Sequence, residues 1–134
     1  MLSAYKSYWM NYCNFKNRTS RKSYWLNVLA TFIVSFIIGF VVALIFNDNV
    51  DYSSVKTMDD LLEIMKKPSV IIDMVWTLIN FIPMLAIDIR RLHDINKSGW
   101  FIFINLIPIV GSIIYLVFMC SKSVDENNKY EEQV

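Results

Sequence analysis

A chain of 134 residues is long enough for one small domain or one membrane bundle. Its net charge of +1, from 13 basic and 12 acidic residues, excludes the strongly basic footprint of a nucleic-acid binder. Two cysteines, Cys13 and Cys120, are too few for a disulfide framework.

Hydrophobic residues make up 55% of the chain, and their distribution is the main signal. Charge is confined to 1–24, 47–69, 88–99 and 121–134, with Asp73 the exception. Between these zones lie apolar runs at 25–46, 70–87 and 100–120, of 22, 18 and 21 residues. As helices they would be roughly 33, 27 and 32 Å long, against a hydrocarbon core of roughly 30 Å. A helix on a soluble core exposes one polar face, and a soluble protein rarely has three runs so nearly free of charge. The sequence therefore predicts an all-α, multi-pass membrane protein, folded as a single membrane domain over 1–134, with three transmembrane helices.

In chain order, the first expected element is a short amphipathic helix over 2–13. Leu2, Tyr5, Trp9 and Tyr12 fall on one helical face, rich in the aromatics that favour a membrane interface. The first span follows at 25–46. It is too long for a signal-peptide core and has no small-residue cleavage site after it, so it reads as a retained anchor. Asn27, Thr31, Ser35, Gly39 and Ala43 recur every four residues along it, a line suited to close helix packing in lipid.

The segment 47–69 contains "TMDDLLEIMKKP", in which Thr57 can cap, Asp60 completes a capping box and Pro68 stops the helix. A short extracytoplasmic helix over 58–67 is expected there. The second span, 70–87, carries the stripe Asp73, Thr77 and Asn80, read as helix-packing glue or as a narrow polar path with Asp73 as an ion or proton site. The third, 100–120, places Asn105, Pro108, Ser112 and Tyr115 on one face. The three polar faces should turn together and leave Ile, Leu, Val and Phe to the lipid.

Lys and Arg set the expected orientation. Residues 1–24 carry five and the 88–99 loop three, against three in 47–69 and two in the tail. The N-terminus and the 88–99 loop are therefore expected in the cytoplasm, with 47–69 and the tail outside. Pro108 and Gly111 leave an alternative, in which "NLIPIVG" is the tip of a re-entrant hairpin and the C-terminus returns inside.

The stretch "DIRRLHDINKSGW" (88–100) concentrates charge between two apolar runs. It does not read as an active site. A metal site needs further His, Asp or Cys ligands, and the chain has one histidine with both cysteines far from the loop. No nucleophile elbow or Gly-rich phosphate loop is present. The expectation is a non-catalytic protein without cofactor or metal. Arg90, Arg91 and Lys97, near Arg18, Arg21 and Lys22, form a basic rim that attracts anionic lipid, with Asp88 and Asp94 pairing to the arginines.

Three pieces of sequence carry a family resemblance. "FKNRTSRKSYW" (15–25) is similar to a Phe-x-Gly-Arg-x-Ser-Arg-x-Glu-Tyr-Trp motif, and "RRLHDINKSGW" (90–100) to Arg-Arg-Leu-His-Asp-x-x-x-Ser-Gly-Trp without a mismatch. "IPIVG" and "NKY" (128–130) resemble the Ile-Pro-x-x-Gly and Asn-x-Tyr-Gly endings. Together they resemble the domain-of-unknown-function family eight hundred and five, the YhaH-like small bacterial inner-membrane proteins. The departures are Asn17 for Gly, Ser23 for Glu and Glu131 for Gly.

The resemblance covers most of the chain outside 47–69 and implies a bacterial plasma-membrane location; the family has no established activity to transfer. It fits a picture in which Arg18, Arg21, Asp88, Arg90, Arg91, His93 and Asp94 converge on the cytoplasmic face, over Trp25 and Trp100, to bind anionic lipid headgroups or a partner protein. Two alternatives stand beside it. One is an oligomeric channel or transport accessory using Asp73, Thr77 and Asn80. The other is a membrane enzyme on a lipid-linked substrate with His93 as base. Membrane lipids, further copies of the chain or another membrane protein are the expected partners, and nucleic acid is not.

Overall fold

Two long apolar helices organise the chain. The structure, a computed structural model, describes residues 2–46, 53 and 55–130, and these are helical or irregular with no strand. In order they form α1 (Leu2–Met10), α2 (Arg21–Phe46), α3 (Met58–Met65), α4 (Pro68–Asp94), a 3-10 helix (Gly99–Leu106) and α5 (Val110–Cys120). Residues 47–52 and 54 of the expected outer segment, and the Glu131 departure, lie outside the described residues.

The all-α class is as the apolar runs require. At 26 and 27 residues, α2 and α4 are about 39 and 40 Å long, enough to cross a bilayer with tilt. The chain divides into two compact units, Met1–Thr31 with Ile82–Val134, and Phe32–Phe81. Both long helices contribute to each.

In the first unit, α2 starts where Ser20 caps it, its Oγ accepting from the Ser23 N–H at 3.3 Å. Tyr8, Tyr24, Ile87, Leu92, Ile95 and Met119 form the core. The interfacial helix is present, but the residue it buries is Tyr8, off the predicted stripe. Tyr5 and Trp9 pack around Tyr8 with ring centroids 6.0 and 5.4 Å away, while Leu2 is exposed. Burial pushes the Tyr8 phenol well above its ordinary pKa and keeps it neutral.

The charged stretch is not a loop from residue 88. Helix α4 runs through Asp94, because Ile87, Leu92 and Ile95 keep its apolar face buried to the end. It stops at Asn96, which adopts φ 56°. The Lys97 N–H reaches Leu92 O at 2.9 Å and the Asn96 N–H reaches His93 O at 2.9 Å. That is a Schellman ending with asparagine in the left-handed position. Gly99 is needed just beyond it, since a Cβ there would lie 2.9 Å from Ile89 Cγ2.

The third apolar run is not one helix. The 3-10 helix ends at Leu106, and Ile109 then takes φ 64° and ψ −66° in a γ-turn closed by the Val110 N–H on Pro108 O at 2.7 Å. The 8-residue 3-10 helix and the 11-residue α5 are each about 16 Å long, roughly half the hydrocarbon core. They pack closely: a Cβ on Gly111 would collide with the Ile104 carbonyl. The re-entrant arrangement of "NLIPIVG" is therefore the observed one. The tail comes back to the end of α4, where Val124 N–H donates to Asp94 O at 2.9 Å and Asn128 Nδ2 to His93 O at 3.0 Å. The expectation of a tail on the opposite side is corrected: a run broken at Pro108 is too short on either side to cross.

In the second unit, Thr57 and Asp60 form the expected capping box of α3. Pro68 sits at the first position of α4, where its missing N–H is harmless. The small-residue line of α2 meets α4 at one point, where Trp76 Nε1 donates to Ser35 Oγ at 2.9 Å. Phe32, Phe36, Phe40, Leu44, Leu78 and Phe81 are exposed, as lipid-facing residues must be.

Candidate functional site

Seven charged or titratable residues were expected to converge, and the first unit brings them together around the last two turns of α4. Arg91 lies at the centre and is fully buried. Its Nη1 donates to Asp94, its Nη2 to the Ser121 carbonyl and its Nε to the Met119 carbonyl at 3.3 Å. The guanidinium thus links α4 to the end of α5. Asp94, also fully buried, accepts from the Ser123 hydroxyl and lies 3.9 Å from Arg18.

Arg18, on the approach to α2, reaches the tail as well. Its Nη1 donates to Val124 O at 3.1 Å and pairs with Asp125 at 3.0 Å. Arg21 donates to Cys120 O at 3.3 Å. The backbone adds one more tie, Thr19 N–H to Arg90 O at 3.0 Å. Four arginine-to-tail carbonyl contacts and two ion pairs therefore join the start of α2, the end of α4 and residues 119–125. Charge-assisted bonds of this kind are among the stronger ones in proteins.

Asp88 does not pair with an arginine. Its Oδ1 accepts from the Tyr24 hydroxyl at 3.1 Å, and the Tyr115 hydroxyl is its second partner. The correction has a geometric cause, because Asp88 meets tyrosines of α2 and α5 while Arg91 is taken up by Asp94 and the carbonyls of Met119 and Ser121. His93 stacks on Tyr130, ring centroids 3.7 Å apart and planes 6° from parallel. The two tryptophans expected beneath the cluster are outside it: Trp100 is 77% exposed and Trp25 38%.

Arg90 differs from its neighbour. It is 2% exposed, yet among the described residues its Nε meets only the Ala86 carbonyl at 3.3 Å, and no carboxylate pairs with it. No group of three or more His, Cys, Asp or Glu is placed to hold a metal ion among the described residues. Cys13 and Cys120 are both free thiols.

In the second unit the intramembrane stripe separates. Asp73 and Thr77 are exposed in an open apolar groove with Met74, Leu78 and Phe81. Asn80 is buried and gives its amide to Trp76 O at 2.9 Å. Of the third stripe, Asn105, Pro108 and Ser112 are exposed and Tyr115 alone turns inward.

Sequence reasoning missed Tyr24, Tyr115, Ser123 and Tyr130 as site residues. Tyr24 and Tyr130 lie inside the two quoted motifs, which was the available signal. Tyr115 lay on the polar face expected of the third run, and Ser123 had no signal.

The family profile described as "Protein of unknown function (DUF805)" matches residues 12–132. Inner membrane protein YhaI of Escherichia coli (strain K12) is 33% identical over 126 residues, covering 94% of this chain and 90% of the relative. Inner membrane protein YhaH of the same strain is 28% identical over 120 residues, covering 90% and 86%. No solved structure matches.

Proposed function

Because the chain belongs to the DUF805 family of unknown function, a family with inner-membrane relatives, we propose that it is a non-catalytic inner-membrane protein. In this reading its charged motif is an internal clasp, and the basic residues left free hold its clasped end against anionic headgroups. The observation that carries this is the burial of Arg91 and Asp94 with every contact turned inward. A guanidinium at 0% exposure, bonded to Asp94 and two backbone carbonyls, has little to offer a ligand outside.

Exposed cations surround the clasp instead: Lys6, Lys16, Lys97 and Lys122. With the tail at the clasped end, that end carries ten of the 13 Lys and Arg, and residues 47–69 carry three. The positive-inside rule then places the clasp in the cytoplasm. Each lysine near an anionic surface contributes about 1 kcal/mol of attraction.

The test compares wild type with Arg91→Gln and with Lys16→Gln/Lys97→Gln/Lys122→Gln. Melting in mild detergent and lipids retained in native mass spectrometry are read together. The clasp reading expects Arg91→Gln to melt lower and keep its anionic lipid, and the triple variant to melt normally and lose that lipid preference. Lipid lost from Arg91→Gln at unchanged stability would make the motif itself the lipid site.

A further inference from the structure

One guanidinium in the motif has no counter-charge. Arg90 is as buried as Arg91, yet no carboxylate reaches it among the described residues. Burying a charge without a partner is costly, so the site invites a compensating anion. Arg90 lines a cavity of about 310 Å³ between α1, the approach to α2 and α4. Lys22 lines it too, with the side chains of Ser3, Ser7, Thr19 and Ser23, and none of its lining residues is acidic.

Two further groups in this wall are unfulfilled. Among the described residues, Thr19 is 2% exposed with no hydrogen-bond partner for its Oγ1, and Asn27 is 3% exposed with none for its Oδ1, its amide being spent on Ser23 O at 2.8 Å. A hydroxyl can donate to an anion. A carboxamide oxygen cannot, and asks instead for a donor on the same ligand. The cavity therefore offers two cations and several hydroxyls at one place and a lone acceptor at another. Its volume is at the lower end of the roughly 300–1,000 Å³ of small-molecule sites, and Leu26 and Ile87 give it an apolar wall.

We propose that this cavity binds one phosphate ester carrying a hydroxyl or ammonium donor, the chemistry shared by a phospholipid headgroup and a soluble glycerophosphate. Lys22 and Arg90 take the phosphate oxygens, with Thr19 and the serines donating around them. The Asn27 oxygen accepts from the ligand's hydroxyl or ammonium. This deepens the anionic-lipid reading and rests on it for the lipid source, while the cavity is separate from the exposed lysines.

The experiment titrates full-length protein in mild detergent with dihexanoyl phosphatidylglycerol and, separately, with glycerol phosphate, counting adducts by native mass spectrometry. Wild type is expected to take one equivalent. Lys22→Gln should weaken it about tenfold or more, the usual scale for losing one charge-assisted bond. Ser3→Leu, which narrows the cavity and keeps every charge, should weaken it too, and Lys66→Gln, in the second unit, should not. Arg90→Gln should behave like Lys22→Gln where it folds; the exposed Lys22 and Ser3 carry the test where it does not. Binding of the lipid alone identifies a headgroup as the source, and equal binding of both identifies a soluble ester. Wild-type binding in Lys22→Gln and Ser3→Leu overturns the cavity. If the Lys16/Lys97/Lys122 variant then loses lipid, the cationic-face reading survives; if it also binds normally, both fall.

Discussion

The two units of this protein use opposite materials for the same task. In the first, helices are joined by buried charge: Arg91, Asp94 and Arg90 are among the least exposed side chains described. In the second, Phe32–Phe81, the described contact between helix side chains across the unit is a neutral one, Trp76 to Ser35, and the large apolar residues point outward. Lipid gives little drive for apolar association, so small residues and single hydrogen bonds suffice where both helices are held in place by the bilayer. Where short pieces such as α5 and the tail must be fixed to the long helices, the fold relies on ionic bonds to carbonyls.

The contrast can be broken by mutation, and the largest effect is expected in the first unit. Arg91→Gln removes the partner of a fully buried Asp94 and two carbonyl contacts, and should cost about 3–5 kcal/mol in denaturation from detergent. A loss under 1 kcal/mol would mean the clasp is decorative. Gly111→Ala should cost about 3 kcal/mol, because the new methyl cannot coexist with the Ile104 carbonyl unless the hairpin opens.

Matched removals of one hydroxyl or indole donor sharpen the comparison. Tyr115→Phe withdraws a donor from Asp88 and should cost about 1–3 kcal/mol. Trp76→Phe withdraws the donor to Ser35 and should cost only about 0.6 kcal/mol, the usual value for such bonds between membrane helices. Equal losses would erase the distinction between the units.

The smallest effect concerns the α3 cap. The backbone N–H of Lys56, then the hydroxyl and N–H of Thr57, hold the Asp60 carboxyl below its ordinary value of 3.8. A depressed folded value means the contribution is complete above 3.8 and disappears as pH falls through the lower folded value. Amide exchange in 58–61 should therefore accelerate in acid, and Thr57→Ala, which leaves the two backbone donors to Asp60, should weaken that dependence.

Much of this was legible in the residues. The runs at 25–46 and 70–87 gave the two long helices because length and apolarity alone decide them, and Thr57, Asp60 and Pro68 marked real boundaries. The convergence of Arg18, Arg91 and Asp94 was legible from the motifs. What was not legible depends on geometry without a local signature. The run 100–120 reads first as a span with a re-entrant alternative at Pro108 and Gly111, and only the γ-turn at Ile109 decides for the hairpin. Asp88 reads as an arginine partner because it is near two arginines in sequence. Its actual partners are tyrosines on two other helices, 64 residues away in the case of Tyr24. The tail's return follows from the hairpin and was open in the sequence for the same reason.

The clasp also imposes an order on biogenesis. Arg91 is synthesised 28 and 30 residues before Met119 and Ser121, whose carbonyls it holds, and Arg18 more than a hundred before Asp125. Until those residues are made, Arg91 has Asp94 beside it but lacks both of its carbonyl partners, and Arg18 lacks Asp125. A chain cut short before Met119 would keep two apolar spans and expose an unmatched cationic end. The clasp therefore closes only after residues 119–125 have been made, as a late step of folding.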